Sequence, residues 1–154
     1  NILYKVVPNQ IWLEFSDLEI SRLDIWNKAL GYIFRNPIFG LGAGSFSALY
    51  EIDSGIWKGH AHNLIIELLI SYGLPGGLLI FGNIFLMLRN AIKKVFLTFT
   101  YNQNSIFDVA WITSLIVLLL SQMVDVQYFD ARISLVFWIL LSGTRNIINK
   151  NSST

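Results

Sequence analysis

The only two histidines in 154 residues stand two apart, in Gly59-His60-Ala61-His62-Asn63. Imidazole is the side chain best suited to take or give a proton near neutral pH. The pair runs straight into Leu64-Ile65-Ile66-Glu67-Leu68-Leu69-Ile70, apolar enough to enter a bilayer, and then into the break Gly73-Leu74-Pro75-Gly76-Gly77. Asn63 and Glu67 are four apart and so share one face of a helix, which continues a polar line from the histidines into an apolar segment. Polar groups at membrane depth are costly and face a cavity or a partner. A metal reading of His60 and His62 lacks a nearby third ligand of the right type. The alternative to chemistry is that the pair caps a helix or lines an interface.

Arg22 is the second candidate. On a helical wheel Ile25, Trp26, Ala29 and Ile33 form one stripe, Asp24, Asn27, Lys28 and Gly31 lie opposite, and Arg22 falls in the middle of the apolar stripe. Two readings stand side by side: an arginine whose stem covers apolar surface, or a guanidinium aimed into a pocket that takes phosphate or carboxylate. Arg35 and Lys58 are expected to be more exposed. Asp125, Asp130 and Arg132 are expected to pair with one another.

Gly40-Leu41-Gly42-Ala43-Gly44-Ser45 invites a nucleotide reading, but the dinucleotide fingerprint needs a third glycine where Ser45 stands, and a preceding strand. There is no Walker lysine, and Gly44-Ser45-Phe46-Ser47-Ala48 lacks the last glycine of a nucleophile elbow. A glycine-rich turn packed on the membrane surface, or shaping a cavity wall, suits the run better.

These groups must be positioned by helices. Residues 1–15 show no firm period and receive no element. Ser16-Asp17-Leu18-Glu19 matches a capping box and predicts a helix over about 17–35, ended by Pro37. Residues 36–62 read as a structured loop. Asn63 suits the N-cap of a short helix, Leu64 to Tyr72, closed by Gly73. Pro75 fits the first turn of the next helix. Spans are expected at about 75–94, 106–126 and 128–148, each near the roughly 20 residues that cross a bilayer core. The fold class is therefore an all-α polytopic membrane protein, with residues 1–73 as an extramembrane loop with amphipathic helices and 74–150 as transmembrane helices.

Composition agrees. The chain is 54% hydrophobic and only 14% charged, where a soluble domain carries roughly a quarter charged residues. A net charge of +1 and the lack of a basic run argue against nucleic acid. The absence of cysteine removes disulfides and thiolate chemistry. With no initiator Met, the sequence is expected to be the C-terminal part of a longer protein. Arg89, Lys93 and Lys94, with Arg145 and Lys150, mark one side as cytoplasmic by the positive-inside rule. The histidine segment and the turn at 125–130 then face outward. The sequon Asn151-Ser152-Ser153 would lie inside and is set aside.

The order Arg22-x-x-x-Trp26-x-x-Ala29-Leu30, Asn36-Pro37-Ile38-Phe39-Gly40-x-Gly42-x-Gly44-x-Phe46, His62-Asn63 with Glu67-Leu68, and Tyr72-Gly73-Leu74-Pro75-Gly76 resembles the O-antigen ligase and O-antigen polymerase superfamily. The matching block covers about 21–81. The resemblance implies a multi-pass inner-membrane glycosyltransferase of bacterial surface polysaccharide assembly, working at the periplasmic face without nucleotide or obligatory metal, so no cofactor is expected. The implied partners are an undecaprenyl-diphosphate-linked glycan, an acceptor that is a second glycan, a lipid A core or another molecule, membrane lipid, and other assembly proteins. His62 matches the family's histidine and Arg22 its arginine, which implies a general base and a diphosphate-stabilising cation. Arg35, Asn63, Glu67 and His60 are candidates for substrate contact. A non-catalytic transport or scaffold component of a polysaccharide assembly complex is the alternative.

Overall fold

The structure is a computed structural model that describes residues 9–98 and 103–149, with side chains over 22–97 and 105–149. The described residues form five helices and no strand: α1 (Asn9–Arg35), α2 (Ser45–Ser54), α3 (Leu64–Thr98), α4 (Gln103–Ser121) and α5 (Ala131–Asn149). The all-α expectation holds.

α1 starts at Asn9 rather than near Asp17. Ser-x-x-Glu is a local pattern that a helix interior also tolerates. The apolar stripe on α1 is the buried one: Ile25, Ala29 and Ile33 are at most 3% exposed, as is Tyr32, while Asp24, Asn27 and Gly31 face out. They pack with Phe46 and Tyr50 of α2, with Ala61 and with Ile70 of α3 into one core. α2 replaces part of the expected loop. Left-handed Gly44 and Gly55 bracket it, and Phe46, Leu49 and Tyr50 give the short helix the i, i+3, i+4 face it needs.

α3 breaks where the sequence predicts, at Gly73 (φ 72°, ψ 178°). The reason is a backbone crossing. The Leu41 and Gly42 N–H groups donate to the Ile70 and Ser71 carbonyls (2.7 and 3.1 Å), and the Leu74 N–H donates to the Pro37 carbonyl (2.7 Å). A Cβ on Gly40 would stand 2.5 Å from the Gly73 nitrogen, and one on Gly73 would collide with the Ile38 carbonyl. Only glycine, which tolerates positive φ and has no side chain, fits both positions.

α3, α4 and α5 pack on one another around Ala91, Ile112 and Ile147, and around Leu115, Leu119 and Phe137. Gly143 lies against the Trp111 indole, whose Nε1–H donates to the Leu140 carbonyl (2.9 Å). A small residue at such a crossing lets two helices approach closely. Two segments, Leu64–Leu97 and Ala131–Asn149, are long and apolar enough to cross a membrane, and only 33% and 17% of their apolar windows are buried within the protein. A core helix of a soluble domain would be mostly covered. The described apolar run of α4, Ser105–Ser121, is shorter, so the expected count of three spans stands at two by this measure. α4 ends at Ser121 and α5 begins at Ala131, so the turn between them is longer than expected.

Candidate active site

The head of α3 and the α4–α5 turn are joined into one structure. The Leu64 N–H donates to the Gln122 carbonyl (3.0 Å), and Asn63 Nδ2 donates to the Met123 carbonyl (3.1 Å). Asn63 Oδ1 accepts the N–H groups of Ile65 and Ile66 (3.0 and 3.2 Å). That is the N-cap expected of it, satisfying donors that the first helical turn leaves free. Gln122, 2% exposed, accepts the N–H groups of Gln127 and Tyr128 on Oε1 (2.9 and 3.0 Å). This bends the turn and sets Asp125 opposite the histidines.

His62 Nδ1 lies 3.0 Å from Asp125 Oδ1, and His60 Nε2 lies 3.7 Å from the same oxygen. Beside a carboxylate oxygen, Nδ1 of His62 is the donor, which leaves the lone pair on Nε2. Residues two apart on an extended strand share one face, so the chain already starts the pair on the same side. Here His62 takes φ 53°, the one positive φ of a non-glycine residue among those described, and the two rings meet edge to face at 4.5 Å. His60 Nδ1 accepts the backbone N–H of His62 (3.3 Å), and its ring stacks near Phe129. The His60 pKa is held below its ordinary value by burial first, and then by the neighbouring His62, against a smaller opposing pull from Asp125. His60 therefore favours its neutral form.

Asp125, expected to pair with Asp130 and Arg132, is instead the partner of the histidines. Of the expected trio only Asp130 and Arg132 pair, at 3.0 Å, and Arg132 holds the Asp130 carboxyl below the usual range. The signal for Asp125 was its place in the turn between two apolar helices, at the same end as His62.

Glu67 is 3% exposed. Its Oε2 accepts the Ala61 N–H (3.0 Å), and its Oε1 has no hydrogen-bond partner among the described residues. It holds the loop from beneath, between the two histidines. From the other side the Trp26 Nε1–H donates to the Ala61 carbonyl (2.9 Å). Both polar groups of Ala61 are thus engaged. Arg22 is half-buried, and it precedes Trp26 by one helical turn on the same face of α1. Trp26 thereby ties the Arg22 stripe to the histidine loop. Arg35 lies elsewhere: thirteen residues along α1 is about 20 Å at 1.5 Å per residue. It pairs with Asp53 (3.4 Å) beside the Tyr32 ring.

His60, His62 and Asp125 each offer one ligand atom, all within 4.8 Å of one another. The third group missing from the sequence reading is thus present, 63 residues downstream of His62. The hydrogen bonds nevertheless describe a proton network. A neutral His60 that gave Nε2 to a metal would carry its proton on Nδ1, facing the His62 N–H, donor against donor.

Residues 10–81 match the family model described as O-Antigen ligase, a stretch containing Arg22, Arg35, His60, His62, Asn63 and Glu67 but not Asp125. No curated protein and no solved structure matches the chain.

Proposed function

We propose, for a chain that belongs to the O-antigen ligase-like family through residues 10–81, that it catalyses glycan transfer from an undecaprenyl-diphosphate donor to an acceptor hydroxyl at the outer face of the inner membrane. Family membership supports polysaccharide assembly and a membrane-integral chain. The donor, the periplasmic orientation and a third span, α4, are parts of the proposal.

The observation that carries the mechanism is the His62–Asp125 contact of 3.0 Å. Asp125 fixes the His62 ring and its tautomer, as a carboxylate does for a catalytic imidazole. Nε2 then removes the proton from the acceptor hydroxyl as the oxygen attacks the anomeric carbon. The bond from that carbon to the diphosphate oxygen breaks, and undecaprenyl diphosphate leaves with the electron pair. Arg22 offers a planar bidentate donor to the charge growing on the departing diphosphate. Asn63, Glu67 and Trp26 hold this arrangement in place, and Arg35 is left out of it.

The test is His62→Ala and Arg22→Ala in the full-length parent protein, scoring glycan attachment and chain length by gel beside protein level. Loss of product at normal level supports the assignment, and the banding separates failed polymerisation from failed ligation. Normal product from both variants would overturn it in favour of a structural role in a scaffold or transport component.

A further inference from the structure

The turn that crosses α3 at its break presents two apolar side chains outward: Ile38 is 62% exposed and Phe39 is 87% exposed. They cannot swing inward with the backbone. The Gly40 N–H closes the turn on the Asn36 carbonyl (3.0 Å), Pro37 fixes its own φ, and the segment is bonded to α3 on both sides of Gly73. The turn is therefore a rigid mount at the level of residues 70–74 of α3.

That level can be compared with a bilayer. α3 has 35 residues, about 52 Å at 1.5 Å per residue, and a hydrocarbon core of about 30 Å takes only about 20 of them. Exposed Lys93 and half-buried Lys94 mark one boundary, and Lys94 is anchored to the Ile148 carbonyl (2.6 Å). Twenty residues back from Lys93 lies Gly73. The opposite boundary thus falls at the break, where Tyr72 and Leu74 are also exposed and the apolar face continues to Leu78 (68% exposed). Arg35 and Asn36 flank the turn with polar groups.

We infer that Ile38 and Phe39 insert into the bilayer interface at the end of α3 opposite Lys93, so that the turn anchors the extramembrane helices at a fixed height on the membrane. Aromatic and apolar side chains beside polar ones are the pattern of that boundary. The inference rests on α3 crossing the membrane and is independent of the transfer chemistry.

These 154 residues contain no cysteine, so, with any cysteine elsewhere in the full-length protein replaced, a single thiol can be placed here and labelled with an environment-sensitive fluorophore in phospholipid nanodiscs. Phe39→Cys is compared with Glu51→Cys, exposed on α2, and with Phe85→Cys, 67% exposed near the middle of α3. The expected result is that nitroxide near the lipid headgroup quenches the Phe39 probe most, nitroxide deep in the acyl chain quenches the Phe85 probe most, and aqueous iodide reaches only Glu51. Iodide quenching at Phe39 equal to that at Glu51 would overturn the inference, placing the turn in water. A Phe39 probe reached by neither iodide nor nitroxide would also overturn it, because another protein surface then covers the turn. A Phe85 probe untouched by nitroxide would remove its premise.

Discussion

His62 Nδ1 and Asp125 Oδ1 are 3.0 Å apart across 63 residues of sequence. The contact joins the residue before the N-cap of one apolar helix to the turn between the next two. Local geometry alone would not produce it, because His62 must adopt φ 53° to face that turn. A non-glycine residue held at positive φ marks a place where the surrounding structure overrides a local preference.

His60 makes the loop sensitive to pH. Its pKa is lowered in the folded loop, by burial and then by His62, so below the ordinary value of about 6.5 the unfolded loop binds more protons than the folded one. Stability of the loop is therefore fully present above about pH 6.5 and is lost as pH falls below it. Limited proteolysis around residues 55–63 should quicken as pH drops through that window, and His60→Asn should flatten the dependence. An equally steep profile in the variant would contradict this assignment.

Gly73→Ala should destabilise the protein by about 2 kcal/mol or more, since it combines a positive φ with a collision against the Ile38 carbonyl. Thermal unfolding in detergent would measure the effect. Gly42→Ala is the useful comparison: it also has positive φ, but a Cβ there meets nothing within 4 Å, so the smaller loss expected there isolates the backbone crossing.

Trp26→Phe keeps an aromatic ring in the stripe but removes the donor to the Ala61 carbonyl. About 1 kcal/mol of stability should go with the hydrogen bond. Because that bond ties the Arg22 face of α1 to the histidine loop, transfer should fall by more than the stability loss explains. Comparing activity per folded molecule in the two proteins checks it.

Glycan transfer should survive a chelator. The donor-to-donor conflict at His60 Nδ1 disfavours a metal on the histidine cluster. Loss of transfer in EDTA, restored by added zinc, would show that the three groups act as ligands after all.

Much of the scaffold is legible in the sequence because it is set by local rules. Gly73 followed by Pro75 announces the break, Asn63 announces the start of α3, and the i, i+3, i+4 spacing from Ile25 to Ile33 announces the buried face of α1. α2 was legible in principle from Gly44 and Gly55 at its ends, but its ten residues are too few for a firm period. That α1 already runs before Ser16 was hidden because a capping box is also tolerated inside a helix. The spacing of Asn63 and Glu67 announces a shared polar face toward a cavity or a partner, but not that their oxygens also hold the backbone of the site. Asp125 was least legible, since a carboxylate in a short turn beside Asp130 and Arg132 reads as a local ion pair.

The proposed mechanism requires His62 and Asp125 to act as one unit. The deciding measurement is the transfer rate, per molecule of full-length protein, for His62→Ala, Asp125→Ala and the double variant. An oriented general base contributes about 10²–10⁴-fold, so His62→Ala should lose that much, and adding Asp125→Ala to it should cost little more. Losses that multiply, or an Asp125→Ala protein that transfers at the normal rate, would contradict the pairing.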